Sequence, residues 1–303
     1  MEFINTERRC TILYFFLWSI QSCTAGVEPI PRPLKQNFPF SYLSPFYTQP
    51  LLNSEFTLLP SSTIQTQQPP PKNMPTTPTP TLLLIGSGPG LGLSISKSFA
   101  THHFPKIALI SRNSTRLSSD KLSIESSAGK AVTVKTWSVD IAQSEQFKSV
   151  LKEVGEWGNV TCVVFNAARV QPSEILVEAE EEIVRDFMVT NIALYTAAQW
   201  AMPILSKLPA EQKPSFLVTS SLLWKYPYPP FFSLSMVKSS QRTLVQCLGA
   251  TFPDVHCALL NVGGQVSEDD KVFNPTAIAE KFWELYDQEK EAWTLDLDVL
   301  GPQ

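Results

Sequence analysis

Thr81-Leu82-Leu83-Leu84-Ile85-Gly86-Ser87-Gly88-Pro89-Gly90-Leu91-Gly92 is the stretch that decides the fold. Thr81 to Ile85 is a short apolar run of the kind that forms a strand covered on both faces. A glycine cluster closes it, and Leu91 to Ala100 follows at once with helical period. Glycine also serves ordinary tight turns. A glycine cluster between a strand and a helix is the setting of a phosphate-binding loop. There a pyrophosphate rests on bare backbone N–H groups at the helix N-terminus, where the helix dipole favours an anion. A side chain at the close-approach glycines blocks it.

Outward from this turn the pattern repeats. Further strands are expected at 106–110, 131–135, 160–165, 215–219 and 255–260. Helical stretches are expected at Ser144 to Val154, Glu180 to Leu205 and Ser235 to Thr251. Alternating strand and helix predicts an α/β fold: one Rossmann-like, doubly wound parallel sheet with helices on both faces, over 81–303. The second strand ends in Ser111-Arg112-Asn113. An acid at this position binds a ribose 2′-hydroxyl, whereas an arginine accommodates a 2′-phosphate. Arg112, with Arg116 near it, therefore predicts NADP(H) rather than NAD. A solvated loop arginine is the alternative.

The first eighty of the 303 residues are different in kind. Residues 1–26 run from a charged start through the apolar Thr11 to Ile20 to Cys23-Thr24-Ala25. That order has the form of a secretory signal or membrane-associating segment. Its apolar core is short for a bilayer of ~30 Å. A start codon placed too far upstream is the other reading. Residues 27–80 hold 13 of the 25 prolines and read as a disordered linker. Net charge is −4, so no basic surplus exists to neutralise phosphates, and nucleic-acid binding is not expected. The five cysteines form no CxxC pair and the three histidines no HExxH, so no metal site is expected.

In order and spacing these residues resemble the short-chain dehydrogenase/reductase superfamily, over roughly Thr81 to Gly301. Gly86, Gly90 and Gly92 match its G-x-x-x-G-x-G, with Leu91 inside the loop. Asp140 matches the acid that contacts adenine. Asn166, in Phe165-Asn166-Ala167-Ala168, matches the N-A-G asparagine that pins the sheet centre and the ribose. Asn191 and Ser221 sit where the family has its tetrad asparagine and catalytic serine. Lys238 matches the lysine of Y-x-x-x-K, which binds the nicotinamide ribose. Ser267, in Gly263-Gly264-Gln265-Val266-Ser267, falls in the loop that holds the nicotinamide amide.

One position departs from the pattern. Leu234, not tyrosine, stands four residues before Lys238. The family's tyrosine is its general acid/base, and leucine moves no proton. The chain resembles an atypical fungal branch in which this tyrosine is often absent, sharing its glycine loop, Asn261 to Gly264 turn and Phe282-Trp283-Glu284-Leu285-Tyr286 helix. Such relatives often accompany secondary-metabolite pathways. Tyr226 and Tyr228 are the nearest substitutes along the chain; lid residues in a proline-stiffened loop is the reading we favour.

The resemblance implies an NADP(H)-dependent oxidoreductase passing hydride to or from a small carbonyl or alcohol, with Ser221, Asn191 and Lys238 at the chemistry. The alternative is an impaired NADP(H)-binding pseudoenzyme that senses the cofactor or partners an enzyme. Trp224, Phe231, Phe232 and Phe273 point to an apolar ligand, with ordinary packing as the alternative. Family members usually form homodimers or tetramers. NADP pools are intracellular, so a cytoplasmic location is expected unless residues 11–27 anchor or export the chain.

Overall fold

The computed structural model describes residues 78–128 and 131–301. The expected signal segment at 1–26 and all but the end of the 27–80 linker lie outside the described residues. Seven strands form one sheet: β1 (Pro80–Ile85), β2 (Lys106–Ser111), β3 (Thr133–Ser138), β4 (Asn159–Phe165), β5 (Ser215–Ser221), β6 (His256–Val262) and β7 (Asp296–Val299). The spatial order is β3-β2-β1-β4-β5-β6-β7, and every pairing is parallel. The chain runs outward one way from β1 to β3, then returns to β4 and runs the other way. The crevice above the β1/β4 junction is where such a sheet takes its ligand.

Period two along the strands builds two cores. Leu83 and Ile85 of β1 face one side, with Phe147, Leu151, Ala197 and Ala201. These belong to α3 (Ser144–Trp157) and α5 (Ala193–Leu205). Leu82 and Leu84 face the other, with Ile95, Phe99, Ile124 and Phe282. Their helices are α1 (Leu91–His102), α2 (Ser114–Ser127) and α7 (Pro275–Asp287). The doubly wound, Rossmann-like architecture read from the sequence is therefore the one observed.

Local differences have local causes. Residues 114–127, to which the sequence reading assigned no element, form helix α2. Asn113 caps it by accepting from the Arg116 N–H, and only Leu117, Asp120 and Ile124 are buried along its serine-rich length. Strand β3 begins two residues later than expected and pairs with β2 through Ser138. Strand β7 was not expected at all, because Asp296 and Asp298 disguise it; Arg242 and Asn261 satisfy them. The expected helix 180–205 is interrupted. Helix α4 (Glu180–Phe187) passes through one π-helical turn (Met188–Ile192) into α5. The last site-bearing helix is α6 (Phe232–Thr251), which starts earlier than expected. Among the described residues no helix is long and apolar enough to cross a membrane.

Candidate active site

The glycine turn is built by contact as well as by dihedral. Gly86 has φ +99°, and a Cβ there would meet the Ala167 backbone nitrogen at 2.6 Å. A Cβ at Gly92 would lie 2.8 Å from the Gly86 carbonyl oxygen. Gly90 has φ +78°, a region that favours glycine. Gly88 has open space where its side chain would be. No side chain caps helix α1, and its first turn carries no acid. The bare helix start and the open space over Gly88 fit a bound phosphate group.

Asn166 locks this turn to the middle of the sheet. Its Nδ2 donates to the Gly86 carbonyl at 2.9 Å, and its Oδ1 accepts from Thr219 Oγ1 at 2.7 Å. One side chain thus joins the glycine turn, the end of β4 and the end of β5. Beneath the turn lies Asp120, 1% exposed. Its two oxygens accept from Ser87 Oγ at 2.8 Å and from Arg116 Nε at 2.7 Å. Arg116 is therefore committed to bracing the loop. Arg112, Asp140, Asn166 and Ala168 line a cavity of about 240 Å³ at the ends of β1 to β4. Asp140 Oδ1 accepts from the Ala142 N–H at 3.1 Å.

A second, larger cavity of about 880 Å³ adjoins the first, sharing Asn166 and Ala168. Its wall brings together Leu91, Ser221, Leu234 and Lys238, with Tyr226 and Tyr228 at the rim. Both tyrosines are more than half exposed. Ser221 ends β5 and caps the following turn, Leu222–Trp224, its Oγ accepting from the Leu223 N–H at 3.3 Å. Lys238 is buried. Its Nζ donates to the Thr219 carbonyl at 2.9 Å and to Gln241 Oε1 at 3.1 Å. Burial, with no counter-charge, pushes the ammonium down to about 7.

Asn191 stands behind this wall. It sits in the π-helical turn and donates from Nδ2 to the Val237 carbonyl at 3.1 Å, one residue before Lys238. Its Oδ1 is buried without a protein partner. Ser267 lies just beyond the last wall residue, Val266, in an exposed turn. Its N–H donates to the Phe273 carbonyl at 3.2 Å. Phe273 fills the hollow against Gly264, where a Cβ would meet its ring at 2.4 Å.

Three groups escaped sequence reasoning: Asp120, Gln241 and an ionic cluster around Arg169. Arg169 pairs with Asp186 of α4 at 2.9 Å and with Glu182. Asp186 in turn accepts from Ser233 Oγ at 2.6 Å, and Ser173 Oγ accepts from the Ser233 N–H. This cluster fixes the first turn of α6 next to Leu234. A polar residue on an otherwise apolar helix face was the signal available for Asp120 and Gln241. Among the described residues, no group of three or more His, Cys, Asp or Glu is placed to hold a metal ion.

The fold, the glycine turn and the paired cavities define a Rossmann-type nucleotide-binding protein. Residues 80–263, more than half of the chain, match the short chain dehydrogenase family. The chain belongs to that family of nicotinamide-dependent oxidoreductases. No curated protein matches it. Among the solved structures that share its fold are three oxidoreductases. A short-chain dehydrogenase from Rhodopseudomonas palustris has TM-score 0.64 and 21% identity over 74% of this chain and 99% of its own. An alcohol dehydrogenase from Thermococcus sibiricus, complexed with 5-hydroxy-NADP, has TM-score 0.65, 21% identity and the same coverage. A short chain oxidoreductase from Pseudomonas aeruginosa PAO1 containing an atypical catalytic center has TM-score 0.64 and 15% identity over 72% of this chain and 95% of its own.

Proposed function

We propose that the chain is an NADP(H)-dependent reductase or dehydrogenase acting on a small, largely apolar carbonyl or alcohol. The observation that carries this is the junction of two cavities at Asn166 and Ala168, one ending at Arg112 and the other holding Ser221 and Lys238. When bound, the nicotinamide supplies the hydride. Gly86, Gly90, Leu91 and Gly92 would take the pyrophosphate, Asp140 the adenine and Asn166 the adjoining ribose. Arg112, with Arg116 withdrawn to Asp120, is the cation for a 2′-phosphate. The solved Thermococcus sibiricus relative with an NADP derivative supports that choice. Ser221 is the hydroxyl that polarises the substrate carbonyl. Lys238 has spent two of its three N–H groups on protein and has one for the reacting end. Asn191 positions helix α6, and Ser267 borders the nicotinamide end.

A second reading is an NADP(H)-binding protein without turnover. Leu234 favours it: a buried leucine forms cavity wall where the family pattern places its tyrosine acid. The tyrosine-poor fungal resemblance, a role in secondary metabolism, a cytoplasmic location and homo-oligomer formation complete the proposal. Titration with NADPH and NADH, followed by a panel of aldehydes and ketones, separates the readings. The reductase reading expects NADPH preference, turnover with some carbonyl, and a loss of about 100-fold on Ser221→Ala, the usual scale for one polarising donor. NADPH binding with no turnover across the panel selects the second reading.

A further inference from the structure

We propose that Lys238 is itself the proton-transferring group of this site, aimed at the cavity by Gln241 and the Thr219 carbonyl. The proposal rests on the reductase reading above. An ammonium has three donors. Two are fixed on protein acceptors at 2.9 and 3.1 Å, which leaves one direction for the third. Lys238 shares the cavity wall with Ser221, and Leu234 lies in the same wall with no group that holds a proton. Lys238 is thus the ionisable group on the inner wall, while Tyr226 and Tyr228 stand exposed at the rim.

Gln241 is the unexpected part. It is fully buried on α6, and its Nε2 has no protein partner. Burying an amide with an unmet donor is unfavourable, so the side chain is not there for packing. Its Oε1 does one visible thing, which is to accept from Lys238. A neutral acceptor orients the ammonium without fixing its charge as a carboxylate would. The neighbouring elements bring no competing charge. Strand β5, the π-helical turn and the 222–224 turn carry no ionisable side chain beyond hydroxyls. On β6, His256 stacks on Trp293 and Cys257 is a buried thiol. On α4, Asp186 is held by Arg169 and Ser233, and Glu182 is held by Arg169. Glu180, Glu181 and Arg185 of α4 are exposed. On α6 itself, Arg242 pairs with Asp296, and Cys247 is exposed. Burial alone then brings the ammonium into the range where it gives up a proton near neutral pH.

In the reductive direction the substrate carbon gains hydride from the reduced nicotinamide, and its oxygen takes the Lys238 Nζ proton. The product is a neutral alcohol. Neutral Lys238 regains a proton from solvent through the open side of the cavity.

The full chain tests this in two ways. Lysine-labelled protein, without cofactor, should show one Cε resonance titrating with a midpoint near 7; it is assigned by its loss in Lys238→Met. A midpoint above roughly 9, with the ordinary lysines, overturns the proposal. In turnover at saturating NADPH with an accepted carbonyl, Lys238→Met should lose about 100-fold or more in kcat. Gln241→Leu should move the basic limb of the rate profile to lower pH, and Gln241→Glu should move it to higher pH. Wild-type rates in Lys238→Met, or a limb that neither Gln241 variant moves, overturn the proposal alone. A Lys238→Met kcat that saturating NADPH restores to the wild-type value makes Lys238 a cofactor holder alone and also overturns it. A wild-type chain that binds NADPH but turns nothing over removes the reductase reading and the proposal together.

Discussion

Single residues carry the turn that defines this site, and each glycine there has a different reason to be glycine. Gly86 combines a positive φ with a backbone atom 2.6 Å from any Cβ. Gly86→Ala should therefore cost about 2–4 kcal/mol in urea unfolding, the range of strain plus steric conflict. Gly88 has neither constraint. Gly88→Ala should change stability by less than about 0.5 kcal/mol while weakening NADPH binding, read by fluorescence titration. Equal losses of stability at both positions would contradict the cradle. Arg112→Ala should lower NADPH affinity at least tenfold and leave NADH affinity unchanged. The sequence made these residues legible because their spacing is local. Asp120 was not legible, since only the fold brings it under Ser87 from 33 positions away.

At the scale of elements, the legible ones were those whose apolar pattern announces their burial. Strands β1, β2 and β4 are nearly continuous apolar runs and were placed to within a residue. Strand β7 reads as charged, yet its acids are the fastening. Arg242 reaches Asp296 through Nε and Nη2, the latter at 2.7 Å, and its guanidinium lies 4.1 Å over the Trp224 ring. The edge strand is thereby tied to α6 and to the turn that follows Ser221. Arg242→Ala should cost about 1–3 kcal/mol, because Asp296 is left with Asn261 alone. Chemical unfolding would show it. Helix α2 was left unassigned for the opposite reason: Leu117, Asp120 and Ile124 are its only buried residues, too few to announce a helical period. The π-helical turn left no trace in the pattern, although it carries Asn191 to the Val237 carbonyl.

Across the whole molecule, two buried bases each contribute to how stability follows pH. Burial pushes His256 down to about 4 from an ordinary 6.5. Between those values the unfolded chain binds the extra proton, so stability is complete above 6.5 and falls as pH drops toward 4. Lys238 behaves alike in a higher window. Its ordinary value is 10.5 and its folded value about 7, so stability falls as pH drops from 10.5 to 7. The buried Cys257 thiol, pushed up to about 12, opposes the upper decline, so each contribution is read as the difference between wild-type and variant melting curves. His256→Phe should flatten the lower one and Lys238→Met the upper. A Lys238→Met chain melting no higher than wild type at pH 7, relative to pH 10, would contradict the buried ammonium.

The seam of Asn166 and Ala168 between the two hollows has a consequence for inhibitor chemistry. A fragment matching half of a dinucleotide fills one chamber and leaves the other wet. Tethering two weak fragments across that seam should raise affinity far beyond either, because the second docks from a high effective concentration. The span of the tether, more than the strength of either head, then governs the potency of such a bridging compound.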